Sequence, residues 1–426
     1  MSKNKLAILI NEDPKNMVIG LNSTLLYMVF LNQFYEKIII IRLDENPNFL
    51  TDYFDYYQLD QILANQLLPQ YETANHNLRE NYQKNILNKF ITINDLSQQL
   101  TRDLLKKSLF KISVDSLNDY DILNRVEPMK APFPPAGSHN INIFLEQLLK
   151  KFPTVHAPLN LSDKEIIDGL STPTQIIDSN FLDENSKILQ EKILLTIQDY
   201  QKLYPKSNSP KIVFKPKDSA QSLGVFSLEF LNNYNAPEQE NTGLQAKKQQ
   251  YQIAQNILQD SQKLNDFIKK ICQIQNFEKP INELYGEKIL IQPFLAGINI
   301  GDFRTIIFKD KSQKFFIAGG VFRKKNLQTI QENNFTTCAT TGQSMPVSCE
   351  QFEKYLQPFN QKIVDYLNRN SQKYRLVNFV GADIIASDIT CQNLWLGELN
   401  FHCPALISMI GKDLEFVKMM LKKSIF

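Results

Sequence analysis

Three stretches in the second half of the chain combine acids, amides and cations at spacings that suit phosphate chemistry. In Leu394-Trp395-Leu396-Gly397-Glu398-Leu399-Asn400 a strand would alternate its side chains, so Glu398 and Asn400 would share one face. Upstream, Val380-Gly381-Ala382-Asp383-Ile384-Ile385 is an apolar strand broken by a single carboxylate. If the two strands pair, Asp383, Glu398 and Asn400 converge as three hard oxygen donors with no His or Cys among them. Such a set suits Mg²⁺ held together with substrate phosphates. The plainer alternative is a solvated polar face with one buried acid.

The other two stretches are less specific taken singly. In Phe214-Lys215-Pro216-Lys217, followed by Asp218 to Leu223 and Gly224, a lysine ends an apolar strand before a small polar turn. That can set an ammonium on a phosphate while turn amides cover its oxygens, although the G-x-x-x-x-G-K spacing of a P-loop is absent. Taken alone, an ordinary hairpin is the better account of it. In Leu290-Ile291-Gln292-Pro293-Phe294-Leu295, an apolar strand running into Gln-Pro can offer backbone groups to an adenine edge. Gly301-Asp302-Phe303-Arg304 follows, with Asp302 and Arg304 on one face as an acceptor and a planar donor. The alternative there is a surface ion pair that contributes little.

These residues need a scaffold, and the chain supplies one in two styles. The start reads β-α-β: an apolar strand at 6–10, a Ser/Thr-capped helix over 25–34 and a wholly apolar strand at 38–43. Polar, Gln/Asn-rich residues 55–110 have helical spacing and read as surface helices. A strand at 121–124, a Pro-rich elbow, a helix at 142–152 and a strand at 154–157 complete an open, Rossmann-like α/β domain. Strands at 211–216 and 224–230 suggest a hairpin, and a long amphipathic helix within the polar stretch 231–285 reads as an insertion. The last third is strand-rich, at 288–295, 302–308, 314–323, 376–385 and 393–400, with helices at 351–368 and 414–422. An α/β half followed by an α+β half is therefore expected.

Composition removes several function classes. The 426 residues carry 28 Phe, 16 Tyr and a 43% hydrophobic share, enough for two or three packed subdomains and not for a disordered chain. A net charge of +2 gives no field that would call for nucleic acid. The apolar run at 25–31 is too short to span a bilayer and lacks a basic leader. Five cysteines without a C-x-x-C and four scattered histidines offer neither a disulfide framework nor a zinc site, and a reducing cytoplasm is the expected location.

Taken in order, the three stretches resemble bacterial glutathione synthetase, within the ATP-grasp superfamily of carboxylate–amine ligases. The family pattern Q-x-x-L-x-x-I-x-x-G-D-x-R fits Gln292 through Arg304 without a gap. G-x-D-I-I matches Gly381 to Ile385, and E-x-N-x-x-S-P matches Glu398 to Pro404 except that Cys403 replaces the serine. Asp13-Pro14, Ser23 and Arg125 are fainter matches near the start.

The resemblance implies a Rossmann-like pre-ATP-grasp domain over 1–160, a lid subdomain over 161–295 and a catalytic subdomain over 296–426. It implies ATP and Mg²⁺ (or Mn²⁺) as cofactors, with γ-glutamylcysteine and glycine as substrates, no nucleic-acid or membrane partner, and compatibility with a homo-oligomer. Lys215 and Lys164 would hold ATP phosphates, Gln292, Pro293, Phe294 and Leu295 would line the adenine hinge, and Asp302 would also bind the nucleotide. Arg304 would contact the transferred phosphate or the peptide, and Asp383, Glu398 and Asn400 would ligate the metal. Ser23, Arg125 and Cys403 would face substrate. Two departures stand out: the lid turn 218–223 lacks glycine, and the loop 333–343 lacks the arginine expected near its end.

Overall fold

The computed structural model describes residues 5–10, 36–42, 55–59, 109–124, 146, 154–156, 160–180, 182, 186–217, 224–232, 250–275, 287–299, 301–310, 312–324, 343–346, 354, 356–388 and 393–401. They form three sheets.

The first sheet contains β1 (Lys5–Ile10), β2 (Lys37–Arg42), β3 (Asp55–Leu59), β4 (Leu109–Ile112), β5 (Tyr120–Asn124) and β6 (Thr154–His156) in the order β4-β3-β2-β1-β5-β6. Its centre is parallel, from β2 through β1 and β5 to β6, whereas β3 and β4 add antiparallel at one edge. The continuous apolar runs at Leu6–Ile8 and Ile38–Ile41 are fully buried, as strands covered on both faces require. Two of the expected surface-helix residues groups, 55–59 and 109–110, are strand instead. Their aromatic content, Tyr56, Tyr57 and Phe110, favours a pleated edge over a helix. The helices expected at 25–34 and 142–152 lie outside the described residues, apart from Glu146.

The second sheet holds β7 (Gln175–Asp178), β8 (Lys211–Pro216), β9 (Phe226–Leu231), β10 (Gln250–Ala254) and β11 (Lys288–Pro293), ordered β10-β9-β8-β11-β7. The expected hairpin is there, β8 against β9. The polar stretch is not one long helix: Ile253 lies on β10, and among its described residues only α2 (Ser261–Gln275) is α-helical. Leu264, Ile268, Ile271 and Cys272 line its buried face at helical spacing. Together with α1 (Ser186–Leu203), α2 covers the sheet, and Leu189, Ile193, Phe214, Phe226 and Ile289 fill the interface. Burying each such side chain stabilises by roughly 1.5–3 kcal/mol.

The third sheet is antiparallel throughout: β12 (Gly301–Lys309), β13 (Phe315–Lys324), β14 (Gln343–Pro346), β15 (Phe379–Ala386) and β16 (Leu394–Asn400), ordered β14-β13-β12-β15-β16. Helix α3 (Gln357–Arg369) packs on it through Ile363, Val364 and Leu367. Residues 160–171, expected at the start of the lid, join this third body. Leu161, Ile167 and Leu170 enter its core beside Leu396, Leu399 and Phe401. The backbone amides of Leu399 and Leu396 donate to the carbonyls of Asp163 (2.7 Å) and Leu170 (2.8 Å). This segment is thus a strap along the free edge of β16, drawn there because an edge strand leaves its backbone groups unpaired. No helix among the described residues is long and apolar enough to cross a membrane.

Candidate functional site

The site grows from the pairing of β15 with β16. Asp383 lies opposite Glu398 and Gly381 opposite Asn400, after which the register slips so that Ile384 faces Leu396. Gly397 is the extra residue in that bulge. A Cβ there would come within 3.1 Å of the Ile385 side chain. On the other side of β15, Arg304 of β12 lies opposite Asp383, and Asp302 lies opposite Arg323 of β13. Alternation along four strands therefore aligns Glu398, Asp383, Arg304, Asp302 and Arg323 on one face of the sheet.

Ion pairs lock this row. Arg304 grips Asp383 with both Nε and Nη2, the Nη2 bond to Oδ2 measuring 2.8 Å. Arg323 holds Asp302 in the same two-pronged way, with Nε to Oδ1 at 2.7 Å, and its Nη2 lies 2.8 Å from Asp383 Oδ1. Both guanidiniums use their Nε–Nη2 edge here, so the Nη1 edge of each faces the opposite way. All four residues are at most 7% exposed, which overturns the surface-pair alternative for Arg304 and Asp302. The expected partnership between those two is also corrected. Spacing put them on one face, but cross-strand neighbours sit closer than i, i+2 neighbours, so each takes its partner from the next strand.

The acids separate electrostatically. Burial opposes the charge on Asp383, yet Arg304 and Arg323 outweigh it and hold the carboxyl well below the usual range. Burial, then the charge of Asp383 across the strand pair, push Glu398 up to about 7 against the pull of Lys164 and Lys215. Burial also raises Asp302 in spite of Arg323.

Two lysines cross from opposite sides. Lys164, on the strap, donates to the Pro216 carbonyl at the end of β8 (2.5 Å). Lys215, on β8, reaches the Gly397 carbonyl in the bulge (3.5 Å). Burial lowers the Lys215 ammonium, and Glu398 and Asp383 counter it. Four cations (Lys164, Lys215, Arg304, Arg323) thus face three carboxylates, of which Glu398 is only about half ionised near pH 7. The cluster has an excess of positive charge in a buried setting, where an anion is the natural complement.

For a metal, the fit is partial and specific. Among the described residues no three of His, Cys, Asp and Glu are gathered for an ion. Asn400 donates its amide to Gly381 O (3.2 Å) and Asp383 Oδ2 (3.4 Å), which turns its amide oxygen away from those acceptors. Glu398 and Asn400 are hard oxygen donors. Asp383 is engaged by two guanidiniums and could join a cation only through remaining lone pairs. Two protein oxygens supplemented by phosphate oxygens and water suit Mg²⁺.

The expected adenine hinge ends β11. Gln292 donates to Thr174 Oγ1 (2.6 Å), the Phe294 amide donates to Lys211 O (2.9 Å), and the Lys211 ammonium sits 4.3 Å from the Phe294 ring centre. Phe294 and Leu295 are buried. Next to them Tyr204 accepts the Ala296 amide (3.0 Å) and donates to Ser387 O (2.6 Å). Ser23, Arg125 and Cys403, the turn 218–223 and the loop 333–342 lie outside the described residues. Sequence reasoning missed Arg323, Thr174 and Tyr204. Only Arg323 carried a signal, as the lone arginine in the apolar run Phe315–Phe322 and its end.

No protein-family model and no curated protein sequence matches this chain. Among solved structures it is similar to D-cycloserine synthetase, at 10% identity and a TM-score of 0.49 over 99% of this chain and 100% of that one. D-alanyl-alanine synthetase A from Vibrio cholerae gives 10% identity and 0.49 over 100% and 99%. D-alanine–D-alanine ligase from Helicobacter pylori gives 13% and 0.44 over 98% and 99%. These scores lie below 0.5, and the functional reading rests on the chain's own side chains.

Proposed function

We infer that the chain is an ATP-dependent carboxylate–amine ligase that forms an amide bond through an acylphosphate. The observation that carries this is the convergence of three buried cations, Lys164, Arg304 and Arg323, and the half-buried Lys215 with Glu398 and Asn400 where β8 of one sheet meets β16 of another. That charge balance suits a polyphosphate with a divalent ion, and the ordered match from Gln292 to Arg304 and from Gly381 to Pro404 agrees with it. When bound, Mg²⁺ would offset phosphate charge, with Glu398 and Asn400 as its protein donors and Asp383 beside them.

The chain's own residues then position and stabilise. Lys164 and Lys215 would exchange their backbone carbonyls for phosphate oxygens. Asp383 holds the Arg304 fork in one orientation, and the Nη1 edge is free of that grip to meet the transferred phosphate. A substrate carboxylate attacks the γ-phosphorus, ADP leaves, and an amine displaces phosphate from the acylphosphate to give the amide. No protein nucleophile is needed, so positioning and electrostatics do the catalysis.

The substrates that the sequence resemblance favours are γ-glutamylcysteine and glycine, in a cytoplasmic glutathione synthetase. A ligase of other amino-acid or peptide specificity is the second reading. It is favoured by Cys403 in place of serine and by the missing arginine in 333–343. A coupled assay of ADP release over a panel of dipeptides and amino acids separates the two. ADP release that needs γ-glutamylcysteine and glycine supports the first, release with another pair supports the second, and release with none sinks the ligase reading.

A further inference from the structure

Lys164 is one of the two lysines that cross the cleft, and both of its neighbours hold its backbone. Asp163 accepts the Leu399 amide on its carbonyl (2.7 Å) and the Phe401 amide on its carboxylate (2.8 Å). The Glu165 carboxylate turns away from the cleft and is gripped on both oxygens: Tyr374 donates to Oε2 (2.8 Å), while Lys373 and, at 3.3 Å, Tyr366 donate to Oε1. Tyr374 is fully buried. Its ring stacks on Phe401 (centroids 5.6 Å apart), immediately after β16, and meets Phe315 edge-on. Its carbonyl accepts the Lys309 ammonium at 2.6 Å. Of the Glu165 partners, Tyr374 thus belongs to the core of the third body and Tyr366 packs against it. Beyond Glu165, Ser171 closes the strap on itself by accepting the Ile167 amide at 2.9 Å.

We propose that Glu165 is a positioning residue for Lys164: its three-donor anchor on the end of α3 and the turn that follows sets the strap so that the Lys164 ammonium is delivered to the cleft. Adjacent residues with opposed side chains act as a lever. With Glu165 fixed in the core, the Lys164 side chain is directed at Pro216 and Glu398, where it is only 6% exposed. An anchor of charge-assisted bonds is stronger than one of neutral bonds, which explains a carboxylate here in place of a second apolar residue. The role in ligation rests on the nucleotide reading above, but the positioning itself does not.

The test therefore has two arms. In the nucleotide-free chain, competitive lysine acetylation read by mass spectrometry measures Lys164 directly. Glu165→Gln should raise Lys164 labelling about fivefold or more while Lys215 labelling stays unchanged. Equal increases at both lysines would mean general loosening and would overturn the proposal, as would no change at Lys164. If Glu165→Gln folds poorly, Lys373→Met removes one donor at a half-exposed position and should produce a smaller increase of the same selectivity. The second arm measures ATP affinity in a double-mutant cycle. Glu165→Gln should weaken ATP roughly tenfold in the wild-type background and not at all in Lys164→Ala. Additive losses would overturn the lever. A wild-type chain that binds no ATP would defeat the nucleotide reading alone, leaving the labelling arm to decide the positioning.

Discussion

Replacing Arg304 with lysine tests the ladder of charges at its centre. Arg304 makes two bonds to Asp383, and both side chains are about nine-tenths buried. Lysine keeps the charge but offers a point donor on a flexible stem, so one of the two bonds is lost. A charge-assisted bond in this setting contributes roughly 1.5–3 kcal/mol, which sets the expected loss of stability. Asp383 would retain Arg323 at 2.8 Å, so the loss should stay below that of Arg304→Met, which removes a partner of a buried acid at roughly 3–5 kcal/mol. Turnover should fall roughly tenfold or more, the scale of one oriented donor in a transition state. ATP affinity should fall less, because Lys164, Lys215 and the hinge remain. Urea unfolding, ADP release and ATP titration on the two variants measure all three quantities. Wild-type unfolding midpoint and turnover in Arg304→Lys would refute the reasoning, since neither the grip on Asp383 nor the free edge would then matter.

Glu398→Gln keeps the shape and removes a metal-ligand charge: turnover should be lost with little change in melting temperature, and normal turnover at saturating Mg²⁺ would count against Glu398 as a ligand. Burial lowers the Lys309 ammonium from 10.5 to about 8. Between those values the unfolded chain holds a proton that the folded chain has released, so Lys309 makes stability rise with pH across the window. Relative to Lys309→Met, the wild type should gain up to roughly 3 kcal/mol from pH 7 to 11, and a pH-independent difference would exclude that shift. Gly297→Ala would bring a Cβ within 2.2 Å of the Ala386 carbonyl, separating the hinge turn from the end of β15. An overpacking loss of roughly 1–3 kcal/mol in thermal or urea unfolding is expected, and an unchanged midpoint would show that the turn relaxes freely.

The strands of the site were legible because their chemistry interrupts strong patterns. A lone Asp in Val380–Ile385 and a Glu-x-Asn ending an apolar strand stand out from period-2 alternation, and the pairing of β15 with β16 follows from their succession. The partners of those residues were not legible. Whether Arg304 meets Asp302 or Asp383 depends on which strand lies beside β12, and β15 comes from some seventy residues downstream. The strap was missed for a related reason: its few apolar residues, Leu161, Ile167 and Leu170, follow no helical or strand period and acquire their role only from the unpaired edge of β16. In the polar stretch, Ile253 and Ile257 fitted a helical spacing that in fact joins a strand to a 3₁₀ turn.

The strap gives the chain an unexpected modular logic. The described residues of 160–171 and 301–401 build one body, so the sheet of β7 to β11 is a cassette set inside it. The strand by which the chain enters that cassette, β7, is hydrogen-bonded antiparallel to the strand by which it leaves, β11. Thr174 and Gln292, at the two junctions, touch at 2.6 Å. Ends that lie side by side are the geometry in which a segment can be exchanged without disturbing its host. A chimera in which residues 172–295 are replaced by the corresponding cassette of another protein would therefore need only two adjacent splices. It would keep the ladder from Glu398 to Arg323 and the Glu165 anchor intact while renewing Lys215 and the whole of the hinge strand.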